Sequence, residues 1–255
     1  MLPFAMRQDG GADAGRLSYG RWALHPIQKR ARFAGLLYLI ITVSGVFSLM
    51  VVPAKLFVRG DAGATAGRIL ASETLYRVYI LNGIVSVTVF LFLALALYRL
   101  LEEVDRRKAA VMVILVLVQV PMAFVDALSQ LATLVLLHGA DYLTVFDKAQ
   151  REALARLLLD LNQEGTAAAE LFWGLWLFPL GVLVYRSRFL PRILGAWLIL
   201  NGAAYVAVSV TGLLLPQYSD LANKIAFPVL MGEVAFTLWL LIRGANPKAL
   251  AAPAP

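Results

Sequence analysis

The sequence contains no cysteine, which excludes disulfides, thiol nucleophiles and thiolate-held iron–sulfur centres. It has only two histidines, His25 and His138, too few and too far apart to suggest a haem, chlorophyll or zinc site. It also lacks a glycine-rich phosphate loop, a His-Glu-x-x-His pair and a Gly-x-Ser-x-Gly elbow. No cofactor is expected, and the balance leans against an enzyme. Charge is scarce as well: 15% of the 255 residues are Asp, Glu, Lys or Arg, where soluble domains carry about 25%.

What is abundant is apolar sequence. Hydrophobic residues make up 60% of the chain and are gathered into runs at 33–52, 78–101, 109–137, 167–185, 193–215 and 225–242. Each meets or approaches the roughly 20 residues that cross a hydrocarbon core about 30 Å thick. The expected fold is therefore all-α: a polytopic membrane protein, a bundle of about six transmembrane helices. Residues 31–244 form the membrane domain, 1–30 a largely disordered tail and 245–255 a second tail. A cleaved signal peptide is not expected, because the first apolar run ends in Val51-Val-Pro-Ala rather than a small-x-small site.

The net charge of +7 follows topology. Arg21, Lys29, Arg30 and Arg32 precede the first run; Arg99, Arg106, Arg107 and Lys108 follow the second. Arg186, Arg188 and Arg192 follow the fourth, and Arg243 and Lys248 the sixth. Six crossings put all of these on one side, which the positive-inside rule makes cytoplasmic, with both termini. Nucleic acid is not an expected partner, since no basic patch is interleaved with stacking aromatics.

Asp147 with Gln150 has the pattern of a capping box. Ala153, Leu154, Leu157, Leu158 and Leu161 then share one helical face, so a short amphipathic helix is expected in this external loop. A weaker version spans 62–71, with Asp61 as its cap. Small residues recur every seven positions at Ala167, Gly174 and Gly181, and again at Gly195, Gly202 and Ser209. Such stripes let membrane helices approach closely. Pro121, Pro179 and Pro228 are expected to kink the third, fourth and sixth helices.

Chemistry is to be sought where polarity costs most. Asp126, Glu170 and Glu233 lie inside apolar runs, where a charged carboxylate costs on the order of 2.5–3.5 kcal/mol, so each should face the protein interior. From the roughly 1.5 Å rise per residue, Glu233 and Asn201 lie about 15 and 14 Å from the cytoplasmic helix ends, and Gln119 about 17 Å. Asp126 and Glu170 lie at about 27 and 24 Å. Gln119, Asp126, Gln130 and Thr133 share one face of the third helix. The candidate cavity residues are Asp126, Glu170, Glu233, Gln119, Gln130 and Asn201. The plain alternative is that these groups only bond neighbouring helices. Trp173, Trp176, Trp197 and Trp239 are explained by core packing and interface anchoring.

The stretch Gly174-Leu-Trp-Leu-Phe-Pro-Leu-Gly-Val-Leu-Val-Tyr-Arg-Ser-Arg-Phe-Leu-Pro-Arg-Ile-Leu-Gly resembles bacterial domain-of-unknown-function family 4386. So do Arg32-Phe-Ala-Gly-Leu-Leu-Tyr-Leu and Gly232-Glu-Val-Ala-Phe-Thr-Leu-Trp-Leu-Leu. The resemblance covers residues 32 to about 244, and it implies a six-helix bacterial cytoplasmic-membrane protein with no established activity. The leading reading is a non-enzymatic protein that binds a lipid or small amphiphile in an intramembrane polar cavity. The alternatives are a proton-coupled small-molecule carrier and an accessory subunit of a larger membrane complex. Membrane lipid, a small amphiphile and other membrane subunits are the corresponding partners.

Overall fold

The structure is a computed structural model that describes residues 25–247. The tails expected at the two ends lie outside the described residues over 1–24 and 248–255. The first helix, α1 (Pro26–Val46), begins inside the stretch expected to be tail. His25 and Gln28 close a capping box there, and Pro26 supplies the fixed dihedral that favours a first helical turn.

After α1 come α2 (Val52–Leu56), α3 (Ala62–Ala71), α4 (Glu73–Leu101), α5 (Arg106–Leu117) and α6 (Gln119–His138). They are followed by α7 (Lys148–Arg186), α8 (Arg192–Leu214) and α9 (Ser219–Ile242). Six spans among the described residues are long and apolar enough to cross a membrane: Pro26–Leu56, Glu73–Leu101, Arg106–His138, Lys148–Arg186, Arg192–Leu214 and Pro216–Ile242. The protein is an all-α polytopic membrane protein. Its outward positions are apolar, with Val43 61%, Leu128 65% and Ile193 74% exposed, as lipid-facing surface requires.

Two of the spans carry backbone breaks next to proline. Between α1 and α2 the chain makes a π turn over Phe47–Val51, with the Val52 N–H donating to the Phe47 carbonyl. Pro53, which has no N–H to continue the ordinary ladder, follows directly. Between α5 and α6 the helix is interrupted at Val118, one turn before Pro121. Pro179 and Pro228 lie inside α7 and α9 without interrupting them.

The amphipathic stretch after Asp147 differs from its expectation. It is helical and capped as expected, with the Asp147 carboxylate accepting from the Gln150 N–H at 2.8 Å. It is not a separate surface helix, however, but the start of α7, which runs 39 residues without a break. That is about 58 Å at 1.5 Å per residue, nearly twice the hydrocarbon thickness. The projecting end packs on α3, which Asp61 caps. Arg156 donates to the Val58 carbonyl at 3.2 Å and pairs with Asp160.

The two small-residue stripes meet along the α7–α8 seam. Gly181 lies against Gly195 and Gly174 against Gly202, backbone to backbone. One heptad further, the Ser209 hydroxyl donates to the Ala167 carbonyl at 2.7 Å. Packing is therefore tightest here. The main core lies toward the side that carries both described ends of the chain, hereafter the terminal side. It includes fully buried Leu93, Leu97, Met112, Leu177, Leu180 and Leu183. A smaller cluster around Val52, Ile69, Tyr76 and Leu134 lies at the opposite, loop side.

Candidate functional site

Between the two cores the bundle is hollow. A cavity of about 480 Å³ is bounded by α1 and its π turn, α4, α6, α7, α8 and α9. Its size falls within the roughly 300–1,000 Å³ of small-molecule sites. Most of its wall is aliphatic or aromatic, with Phe90, Trp173 and Trp176 among the lining. Four polar candidates from the sequence line it together: Gln119, Asp126 and Gln130 from α6, and Glu233 from α9. Their shared helical face explains the first three; Thr133, on the same stripe, is fully buried outside the lining.

Glu233 forms the polar floor. The buried Tyr38 hydroxyl donates to its Oε1 in a short hydrogen bond, and Tyr205 from α8 approaches the same carboxyl. Aromatic rings enclose the pair: Tyr38 lies 6.0 Å from Trp176 and 6.1 Å from Phe236, and Phe90 meets Trp176 edge-on at 4.9 Å. Trp173 packs edge-on against Tyr205 at 5.9 Å. No local pattern signals these partners, because each comes from a different helix. A tyrosine inside an apolar run was the available hint, since a buried hydroxyl usually needs a partner.

Asp126 stands nearer the loop side. Its carboxyl lies beside Gly165 of α7, where an added methyl would be 3.4 Å from Oδ1. It forms no hydrogen bond with another described residue. One turn further along α6, Gln130 is only 8% exposed and its Oε1 has no partner among the described residues. The Ser86 hydroxyl, across the cavity on α4, is likewise unpartnered among the described residues. Arg77, near the loop-side end of α4, bonds Glu73 at 2.6 Å.

The other two candidates lie outside the lining. Glu170 is half-buried on α7, close enough to Tyr205 to act on it electrostatically. Asn201 is fully buried in α8 and donates weakly, at 3.5 Å, to the Leu230 carbonyl rather than to Glu233. Its Oδ1 has no partner among the described residues. No group of three His, Cys, Asp or Glu residues suited to a metal ion occurs among the described residues.

The cavity has a mouth. On the terminal side α1 and α9 are in contact through Gly35 and Leu240, and through Tyr38 and Phe236. Toward the loop side they line the cavity instead. Val46, Leu49 and Met50 on one side and Phe227 and Met231 on the other are exposed there. The opening therefore faces sideways, into the apolar belt.

Comparison with known proteins gives a family without a reaction. An uncharacterized protein of Archaeoglobus fulgidus is 36% identical over 74 residues, 29% of this chain and 43% of that protein. The chain thus spans less than half the length of that relative. No solved structure matches. The family model described as a domain of unknown function, DUF4386, matches residues 33–244. The chain belongs to the DUF4386 family.

Proposed function

We propose that this protein binds a lipid or small amphiphile in its intramembrane cavity, in the bacterial cytoplasmic membrane with both termini cytoplasmic. The carrying observation is a hollow of about 480 Å³ with apolar walls, a few polar groups and a sideways mouth. An amphiphile entering from the bilayer leaves lipid for apolar wall and carries its head to groups that lipid cannot satisfy. A purely structural subunit would have no use for that volume, and close packing would be expected to fill it.

Two further observations support the reading. Below Tyr38 and Glu233 the terminal side is closed by the fully buried Leu93, Leu97, Leu177 and Leu180. One-sided access suits a binding vessel better than a proton-coupled carrier, which must open to both faces. The basic residues Arg32, Arg99, Arg106, Arg107, Lys108, Arg186, Arg188, Arg192 and Arg243 stand at helix ends on the terminal side, and favour a cytoplasmic assignment for it.

The test uses Gly45 and Gly83, which line the cavity and whose added Cβ atoms would meet nothing within 4 Å. A Gly45→Leu/Gly83→Leu variant fills the space without forcing the helices apart. Wild type and variant, in phosphatidylcholine nanodiscs, are each titrated with dodecylammonium, dodecanol and dodecyl phosphate. Wild type should retain at least one of the three above the level of the filled variant. Equal retention of all three by both proteins would overturn the reading.

A further inference from the structure

We propose that the cavity selects a monocationic amphiphile whose ammonium head carries N–H donors and is seated at Asp126. This rests on the amphiphile-binding reading and adds the charge and hydrogen-bond character of the head group. The first observation is the charge of the lining. It contains two carboxyl groups, Asp126 and Glu233, and no lysine, arginine or histidine. On the loop side Arg77 is paired with Glu73, and Arg156 with Asp160 and the Val58 carbonyl. A phosphate or carboxylate head would find no compensating cation in the lining, in a low-dielectric setting where an unpaired charge is costly.

The second observation is independent of charge. The Gln130 side chain is more than nine-tenths buried, lines the cavity and leaves its carbonyl oxygen unpartnered among the described residues. A buried acceptor without a donor is costly. With the Asp126 carboxyl one turn away, this end of the cavity offers acceptors to a multiple donor. An ammonium group supplies up to three N–H donors and a positive charge for the two of them.

Glu233 is not the seat. Its carboxyl already receives the Tyr38 hydroxyl and faces Tyr205. Depth agrees with Asp126. Counted by helical rise from the terminal-side basic residues Lys108, Arg32 and Arg243, Asp126, Met50 and Phe227 lie about 27, 27 and 24 Å along their spans. A head group at that level stays near the loop-side interface. The chain then runs inward over Phe90, Trp173 and Trp176.

The same nanodisc titration decides the matter when Asp126→Asn and Glu233→Gln are added. Dodecylammonium should bind wild type roughly tenfold or more tighter than dodecanol or dodecyl phosphate, a gap expected for one charge-assisted contact. Asp126→Asn should bring dodecylammonium binding down to the level of dodecanol in the same variant, and Glu233→Gln should preserve the preference. Thermal unfolding of each variant without ligand controls for folding; dodecylammonium should also raise the melting temperature of wild type more than dodecanol does. If dodecanol or dodecyl phosphate binds wild type as tightly as dodecylammonium, the head-group assignment fails and amphiphile binding stands. If the preference survives Asp126→Asn, the seat at Asp126 is wrong. If no probe exceeds the filled variant, both proposals fall.

Discussion

Gly174 and Gly202 face each other across the α7–α8 seam with no room for a side chain on either. A Cβ added to Gly174 would lie 2.5 Å from the Gly202 carbonyl oxygen, and one added to Gly202 would lie 2.8 Å from that of Gly174. Both obstacles are backbone, so neither can rotate away. With Gly181 against Gly195, this contact makes α7 and α8 a fixed wall behind the cavity, while the mouth lies between helices that separate. Close approach substitutes here for the hydrophobic drive that lipid does not provide.

Gly174→Leu should therefore destabilise the bundle by more than the usual overpacking cost of about 1–3 kcal/mol. Gly67→Ala is the contrasting case. It lies on exposed α3, where an added Cβ meets nothing within 4 Å, and should gain about 0.5–1 kcal/mol in helix stability. Thermal unfolding in a fixed detergent reads both. Equal melting temperatures for wild type and Gly174→Leu would contradict the seam.

The length of α7 gives a direct distance. Spin labels at Lys148 and Arg186, 38 residues apart in one helix, should sit about 57 Å from each other. A segment bent down onto the membrane would shorten that markedly. Pulsed electron-spin distance measurement in nanodiscs distinguishes a projecting helix from a surface-lying one.

That difference shows where the sequence stops being legible. The six runs and both stripes follow from local periodicity, so the crossings and the α7–α8 pairing could be read directly. Asp61 and Asp147 were legible as caps because capping needs only neighbours three residues away. The short helix after Asp147 was expected to be separate from the apolar run at 167–185, yet the residues between them keep the helical ladder, and contact with α3 holds the projecting end. Glu233 meets Tyr38 across a separation of 195 residues, and no local pattern encodes such a partner. Glu170 and Asn201 had depths like those of the lining residues but different azimuths, which helical rise alone does not fix between separate helices.

The turn between α4 and α5 should respond to acid. Asp105 caps α5, and hydrogen bonding from Lys108, side chain first and then backbone, holds its carboxyl below the usual carboxylate range. A lowered folded pKa means its contribution is present above the unfolded value, near 3.9, and is lost as pH falls through the folded one. Amide exchange over 102–108 should accelerate at the acid end of that window in wild type. Asp105→Asn, which still caps without titrating, should remove the dependence. An identical acid response in the variant would assign it to another group.

The bond between Tyr38 and Glu233 joins α1 to α9 in the wall of the cavity. It is thus placed to set how far the mouth opens, as well as to satisfy the floor. Tyr38→Phe removes the hydroxyl and leaves the ring contacts with Trp176 and Phe236 in place. The loss should be about 1–3 kcal/mol, because the buried carboxyl then loses one of its two tyrosine partners. Glu233→Gln keeps an acceptor for the tyrosine and should cost less. In the double variant the two effects should fall short of adding, since the second change removes a group the first had already stranded. Strict additivity in thermal or denaturant unfolding would mean that the two side chains are energetically independent. In that case the separation of α1 from α9 must be set by packing, through Gly35 against Leu240 and the Tyr38 ring against Phe236.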